Sequence, residues 1–112
     1  MVDTNIATVV GRLTKDAELK QTGLSVGFFT IATNRMKKEQ SGNYIEEASF
    51  LDVNVYGKYA ETIIPKLKKG VQVCIVGSLK QDRWQERGTG QNKSRVIITA
   101  ESIQIFGGKN VS

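Results

Sequence analysis

The chain has 112 residues, room for one domain around a single core and too few for two. Hydrophobic residues make up 39% and charged residues 24%, as in globular proteins, and no apolar run approaches the roughly 20 residues that cross a bilayer. A lone cysteine, Cys74, and no histidine leave no parts for an internal disulfide, a zinc site or a histidine-based triad, while 16 Lys/Arg against 11 Asp/Glu give a net charge of +5 that favours a polyanionic partner. A soluble binding protein without metal, cofactor or small-molecule substrate is expected. The N-terminal Met1-Val2-Asp3-Thr4-Asn5 carries no secretion signal, so a cytoplasmic location is expected too.

Period-two alternation of β-branched and aromatic residues dominates. The first run, Thr4 to Lys15, carries Ala7, Val9 and Leu13 on one parity and Ile6, Thr8 and Val10 on the other, with Gly11 marking a bend where a small barrel turns a corner. A second run, Ser25 to Arg35, follows the Gln21-Thr22-Gly23 turn signal. The polar stretch "KKEQSGNYIEE" then reads as a long flexible loop or hairpin tip before a third run, Ala48 to Tyr56. A helix is predicted over about residues 58–68, where Tyr59, Ala60, Ile63, Ile64 and Leu67 recur at helical spacing; Pro65 inside it predicts a kink or a shorter helix, and Gly70 a stop. The fourth run, Val71 to Trp84, and the fifth, Ser94 to Phe106, are joined by "QERGTGQNK", read as a mobile hairpin loop. The order β-β-β-α-β-β predicts an all-β fold, the five-stranded Greek-key oligonucleotide/oligosaccharide-binding (OB) barrel with a short helix between strands 3 and 4. It would occupy residues 1–107, with 108–112 as a short tail.

The facing of the aromatics carries the functional information. In the third run Leu51, Val53 and Val55 fit a barrel interior, which sends Phe50, Asp52, Asn54 and Tyr56 outward. In the fourth, Val71, Val73, Ile75 and Leu79 share the interior parity, whereas Lys80, Asp82 and Trp84 share the polar one, with Gly77 a point where the register can shift. Outward rings among cations suit sequence-tolerant binding of single strands, since every base has a π-face and every nucleotide a phosphate. Parity alone equally allows Phe50, Tyr56 and Trp84 to be covered by the helix, a loop or a neighbouring subunit.

Arg12, Lys15, Lys20, Arg35, Lys37, Lys38, Lys58, Lys80, Arg83, Arg87, Lys93 and Arg95 fall largely at strand ends and in the long loops that rim the groove of such a barrel. Phosphate neutralisation is their expected role, and a solvated surface accounts for some of them. Other constellations are weak: adjacent Glu46 and Glu47 point apart in a strand, Gly88-Thr89-Gly90 lacks the strand-to-helix setting of a phosphate loop, and Cys74 sits among aliphatic residues as a small buried hydrophobe.

Five segments, in order and correctly spaced, resemble the bacterial single-stranded DNA-binding proteins: "VVGRLTKDAELKQTG", "FTIATNR", "SFLDVNVYGKYAE", "LKKGVQVCIVGSLKQDRW" and "ESIQIFGG". The resemblance implies an OB domain that assembles as a homotetramer, is wrapped by single-stranded DNA in replication, recombination and repair, and has no enzymatic activity. By position it implies base stacking at Phe50, Tyr56 and Trp84, and DNA contacts at Lys58, Lys69 and Arg83.

The chain also departs from that family. Met36 and Lys37 stand where a further tryptophan is common, so that platform is lost or replaced by Tyr44. Phe50-Leu51-Asp52 replaces a common Trp-His-Arg, which puts an acid near the groove and alters a subunit contact. The acidic tail ending in Pro-Phe that recruits replication and repair enzymes is not found, as in a truncated core or a tailless relative, which puts tail-dependent partners in doubt. A primosome-type accessory OB protein that bridges replication partners, or an RNA-binding OB module, stands as the alternative, because the fold alone does not fix the ligand.

Overall fold

The structure, a computed structural model, describes residues 1–107; the tail expected at 108–112 lies outside the described residues. Six strands, β1 (Ala7–Leu13), β2 (Glu18–Lys20), β3 (Val26–Lys38), β4 (Tyr44–Tyr56), β5 (Gln72–Gln85) and β6 (Asn92–Gly107), form one sheet in the order β1-β5-β6-β4-β3-β2. A β1–β3 pairing, Arg12 with Ala32 and Leu13 with Ile31, closes five of them into a barrel, and β2 lies outside the closure against β3. Closure removes the exposed edges that an open sheet of this size would carry.

Two glycines make the closure possible. A Cβ at Gly11 would come within 2.8 Å of the Ala32 carbonyl oxygen, so only glycine lets β1 cross β3 this closely. At Gly77 a Cβ would collide with the backbone of Thr99, and the β5–β6 register slips between Val76 and Gly77, skipping Glu101 on β6. The register shift anticipated at Gly77 is therefore present, and beyond it the alternation no longer points into the core. Leu79, expected inside, is 49% exposed.

The interior is filled by the predicted parity of the strands, with Val53 and Val55 at 0% and 1% exposure, joined by Leu13, Phe29, Ile31, Val73, Ile75, Ile98 and Ile103. Burying each such side chain stabilises the fold by roughly 1.5–3 kcal/mol. One end of the core is covered by α1 (Gly57–Ile63) and a 3₁₀ turn (Ile64–Lys66), which bury Ala60, Ile63 and Ile64, with Leu67 completing the cap. The α-helix is shorter than its apolar spacing suggests because Pro65 lacks the donor that another α-turn needs, and the chain tightens around it instead. The Tyr59 hydroxyl accepts the Ile103 N–H at 2.8 Å and donates to the Ile103 carbonyl at 3.2 Å, tying α1 to β6.

Of the polar stretch between the second and third runs, only residues 39–43 form a hairpin tip and the rest is paired strand, whereas the loop expected between the fourth and fifth runs is present as a turn at 86–91. β3 and β4 hold an unbroken antiparallel register from Val26–Tyr56 out to Lys38–Tyr44, and the turn closes with the Glu39 N–H donating to the Asn43 carbonyl at 2.8 Å. β5 and β6 pair out to Gln85–Asn92, with a turn closed by the Glu86 N–H on the Gln91 carbonyl. Two ribbons thus extend from the barrel, paired through their backbones and carrying cross-strand charge pairs such as Arg35–Glu47 and Asp82–Arg95.

Candidate nucleic-acid interface

Backbone alternation on β4 sends Phe50, Asp52, Asn54 and Tyr56 to the outer wall, opposite the buried Val53 and Val55 and the partly buried Leu51. On β3 their register partners Ala32, Thr30, Phe28 and Val26 face the same way, so the outer surfaces of β3 and β4 form one wall. Phe50 is 67% exposed and Tyr56 is half-buried. The two rings stand about 20 Å apart along the strand, room for several stacked bases.

The β5–β6 ribbon joins this wall through one side chain. Arg95 donates to Asp52 on β4 at 2.7 Å, reaches Asp82 at 3.5 Å, and lies 5.8 Å from the centroid of the Trp84 ring, a cation–π arrangement. Asp52 in turn accepts a hydrogen bond from the Thr30 hydroxyl at 2.7 Å. The chain Trp84–Arg95–Asp52–Thr30 therefore carries a continuous surface from the ribbon, where Trp84 is 45% exposed, to the face bearing Phe50 and Phe28. The acid that the sequence placed near the groove is there, neutralised by Arg95.

A cleft of about 400 Å³ opens in the wall between Lys15, Glu18, Phe28, Thr30, Asp52, Asn54 and Arg95. Phe28, not foreseen from the sequence, supplies its flat side, with the Lys20 ammonium 5.4 Å from the ring centroid. A second depression, also about 400 Å³, lies around Trp84 between Gln81, Arg83, Asn92, Lys93 and Ser94.

The predicted phosphate contacts divide by environment. Among the described residues, Lys15, Lys20, Lys38, Lys58, Lys69, Lys80, Arg83 and Arg87 are exposed and enter no ion pair, although Arg83 hydrogen-bonds Gln81 beside Trp84. Arg35 and Lys37 are held by Glu47 at 3.0 and 3.6 Å, on the opposite side of the β3–β4 ribbon from Phe50, because they share the parity of the core. Lys93 pairs with Glu86 at 3.8 Å. Arg12 donates to the Gly70 carbonyl at 2.9 Å and lines a depression on the β1–β3 seam, two strands round the barrel from Phe50. Tyr44, 60% exposed, shares the Phe50 face but lies near the ribbon tip, about 20 Å along β4 from Phe50.

A closed five-stranded barrel capped by a helix, with rings and cations across its outer wall, defines an OB-type barrel. The model of the single-strand binding protein family matches residues 4–106. Single-stranded DNA-binding proteins of Treponema pallidum and Borreliella burgdorferi are each 41% identical to it, over 96% and 95% of this chain. The chain belongs to the single-strand binding protein family. It spans 60% of the length of the first of these relatives and 72% of the second. Among solved structures it superposes on a deletion mutant of the Thermus aquaticus single-stranded DNA-binding protein with TM-score 0.82 and 26% identity, over 95% of this chain and 52% of that one. A Plasmodium falciparum single-strand binding protein in complex with single-stranded DNA shares the fold at TM-score 0.84 and 22% identity, over 94% of this chain and 97% of that one.

Proposed function

We propose that the chain binds single-stranded DNA with little regard to sequence, stacking bases on Phe50, Trp84 and Tyr56 and neutralising phosphates with the exposed Lys and Arg around them. The observation that carries this reading is the pair of exposed rings, Phe50 and Trp84, on one wall that the Arg95 bridge makes continuous. Each stacked base is worth about 1–3 kcal/mol, and the cations supply a salt-dependent share. The names of the relatives and the DNA-bound structural neighbour support the same ligand.

On this reading the protein coats and protects strands exposed in replication, recombination and repair, acts in the cytoplasm at the nucleoid and performs no catalytic step. No helix among the described residues is long and apolar enough to cross a membrane. The working unit is a homotetramer. Ile6, Val10 and Val76 support self-association: they are exposed, and Val10 and Val76 are near neighbours on the outer faces of the paired strands β1 and β5.

Titration with oligo(dT) at several salt concentrations, run alongside sedimentation, tests ligand and assembly together. The expected result is binding whose logarithm falls linearly with log salt, by a slope of about −0.7 per phosphate contacted, on a species of four chains. Equal competition by duplex or by RNA would overturn the preference for single-stranded DNA, and a stable dimer would favour the accessory-protein alternative.

A further inference from the structure

The Arg95 bridge that joins ribbon to wall also occupies a cation that a bound strand would use. We propose that the Asp52–Arg95 pair is an internal latch: Asp52 takes the place of a phosphate on Arg95, holds the β5–β6 ribbon against the wall in the free protein, and gives way to a phosphodiester when a strand arrives. Asp52 is thus a positioning residue that acts on the strand through Arg95 and sets affinity downward. The proposal rests on the single-strand reading above and adds to it the group that opposes binding.

The latch sits where ribbon and barrel part. β4 and β6 pair in parallel only at Val53–Ile98 and Asn54–Thr99, so on the N-terminal side of Ile98 no ladder joins the ribbon to the wall. Arg95 spans that gap, donating to Asp52 Oδ2 at 2.7 Å. Among the described residues this is the only ion pair between ribbon and wall, since Arg35, Lys37 and Lys93 each pair within their own ribbon. The second acid on Arg95, Asp82 at 3.5 Å, is its register partner on β5, so that contact stays inside the ribbon and does not need the wall. Asp52 is held from its other side by the Thr30 hydroxyl, which donates to Oδ1 at 2.7 Å and leaves Oδ2 for Arg95. A guanidinium receives carboxylate and phosphate oxygens through the same fork of N–H donors, so the two anions compete for one place.

The exchange is open to a strand and close to balance. Side-chain exposures of 50% for Arg95 and 38% for Asp52 let a phosphate reach the guanidinium, and a pair this accessible is weak enough to be replaced. Arg95 faces two carboxylates, while Lys15 and Glu18 along the same cleft contribute one charge of each sign. A local excess of negative charge therefore lies on the wall of a chain whose net charge is +5. A phosphate that displaces Asp52 leaves a bare carboxylate, which draws a cation from solution and cancels the counterion release that the new contact brings. Binding is consequently less steep in salt than the number of cations touching the strand would give.

The test measures oligo(dT) affinity across a range of salt for the unmodified chain, Asp52→Asn, Arg95→Gln and the double variant, with a melting curve for each. Asp52→Asn is expected to bind roughly threefold tighter at low salt, with a slope steeper by up to about 0.7, and the gain should fade as salt rises. In the Arg95→Gln background the same substitution should give no more than half of that gain in log affinity, because the latch has no cation to hold. If Asp52→Asn shifts the melting curve, Asp52→Thr, which also removes the charge and suits a strand, is read in its place. Equal gains in the two backgrounds would mean that Asp52 only repels phosphates, and unchanged or weaker binding by Asp52→Asn would mean that it steadies Arg95 for the strand. Either result overturns the latch and leaves the single-strand reading intact, whereas failure of the unmodified chain to bind oligo(dT) overturns both.

Discussion

The two faces of β4 differ by a single step along the backbone and by everything in their environment. Val53 and Val55 point into a core from which water is excluded, with Leu51 packed at its edge, and Phe50, Asp52, Asn54 and Tyr56 point to an outer wall of rings, amides and charges. Phe50, 67% exposed, contributes little to folding and is free to meet a ligand. If, as proposed, the inward face sets stability and the outward face binding, substitutions on the two should separate the two properties.

The largest expected effect is on the inner face. Ile31→Ala removes a fully buried side chain and should lower unfolding stability by about 2–5 kcal/mol, read from the shift in the denaturant midpoint. The outer face should behave in the opposite way: Phe50→Ala and Trp84→Ala are each expected to weaken oligo(dT) binding by about 1–3 kcal/mol, while the melting curve stays close to that of the unmodified chain. Loss of folding in either variant would mean that its ring is structural. A smaller change is expected at Lys58, exposed on α1 and unpaired among the described residues, where Lys58→Ala should reduce the steepness of the salt dependence by about 0.7 if it meets a phosphate. The smallest concerns Glu47, whose replacement by Gln releases Arg35 and Lys37 from an exposed pairing and should change stability by no more than about 1 kcal/mol.

Much of this division was legible in the sequence, because alternation is a local property. The parity of residues 50–56 reports both faces of β4, and Pro65 reports where the α-helix gives way. What was not legible depends on contacts between distant residues. β2 is three residues long, too short to show a period, and exists only by pairing with β3. The outer part of the β3–β4 ribbon escaped notice because its polar and charged residues, Lys37, Lys38, Glu46 and Glu47 among them, read as a loop, and only the pairing across the ribbon makes them strand. Leu79 was misplaced because the register slip at Gly77 broke the alternation from which it was read. Phe28 and Phe29 are adjacent, so one had to face outward, and only the register with β4 reveals which. Arg95 was one cation among many in the sequence; its contact with Asp52, 43 residues away, makes it the bridge between ribbon and barrel.

The central claim, that exposed rings receive unpaired bases, is tested most directly by the emission of Trp84, the sole tryptophan. Titration with oligo(dT) should quench it strongly and saturably, with the midpoint moving to higher strand concentration as salt is added. Emission that stays constant while sedimentation shows the strand fully bound would remove Trp84 from the interface and contradict the account.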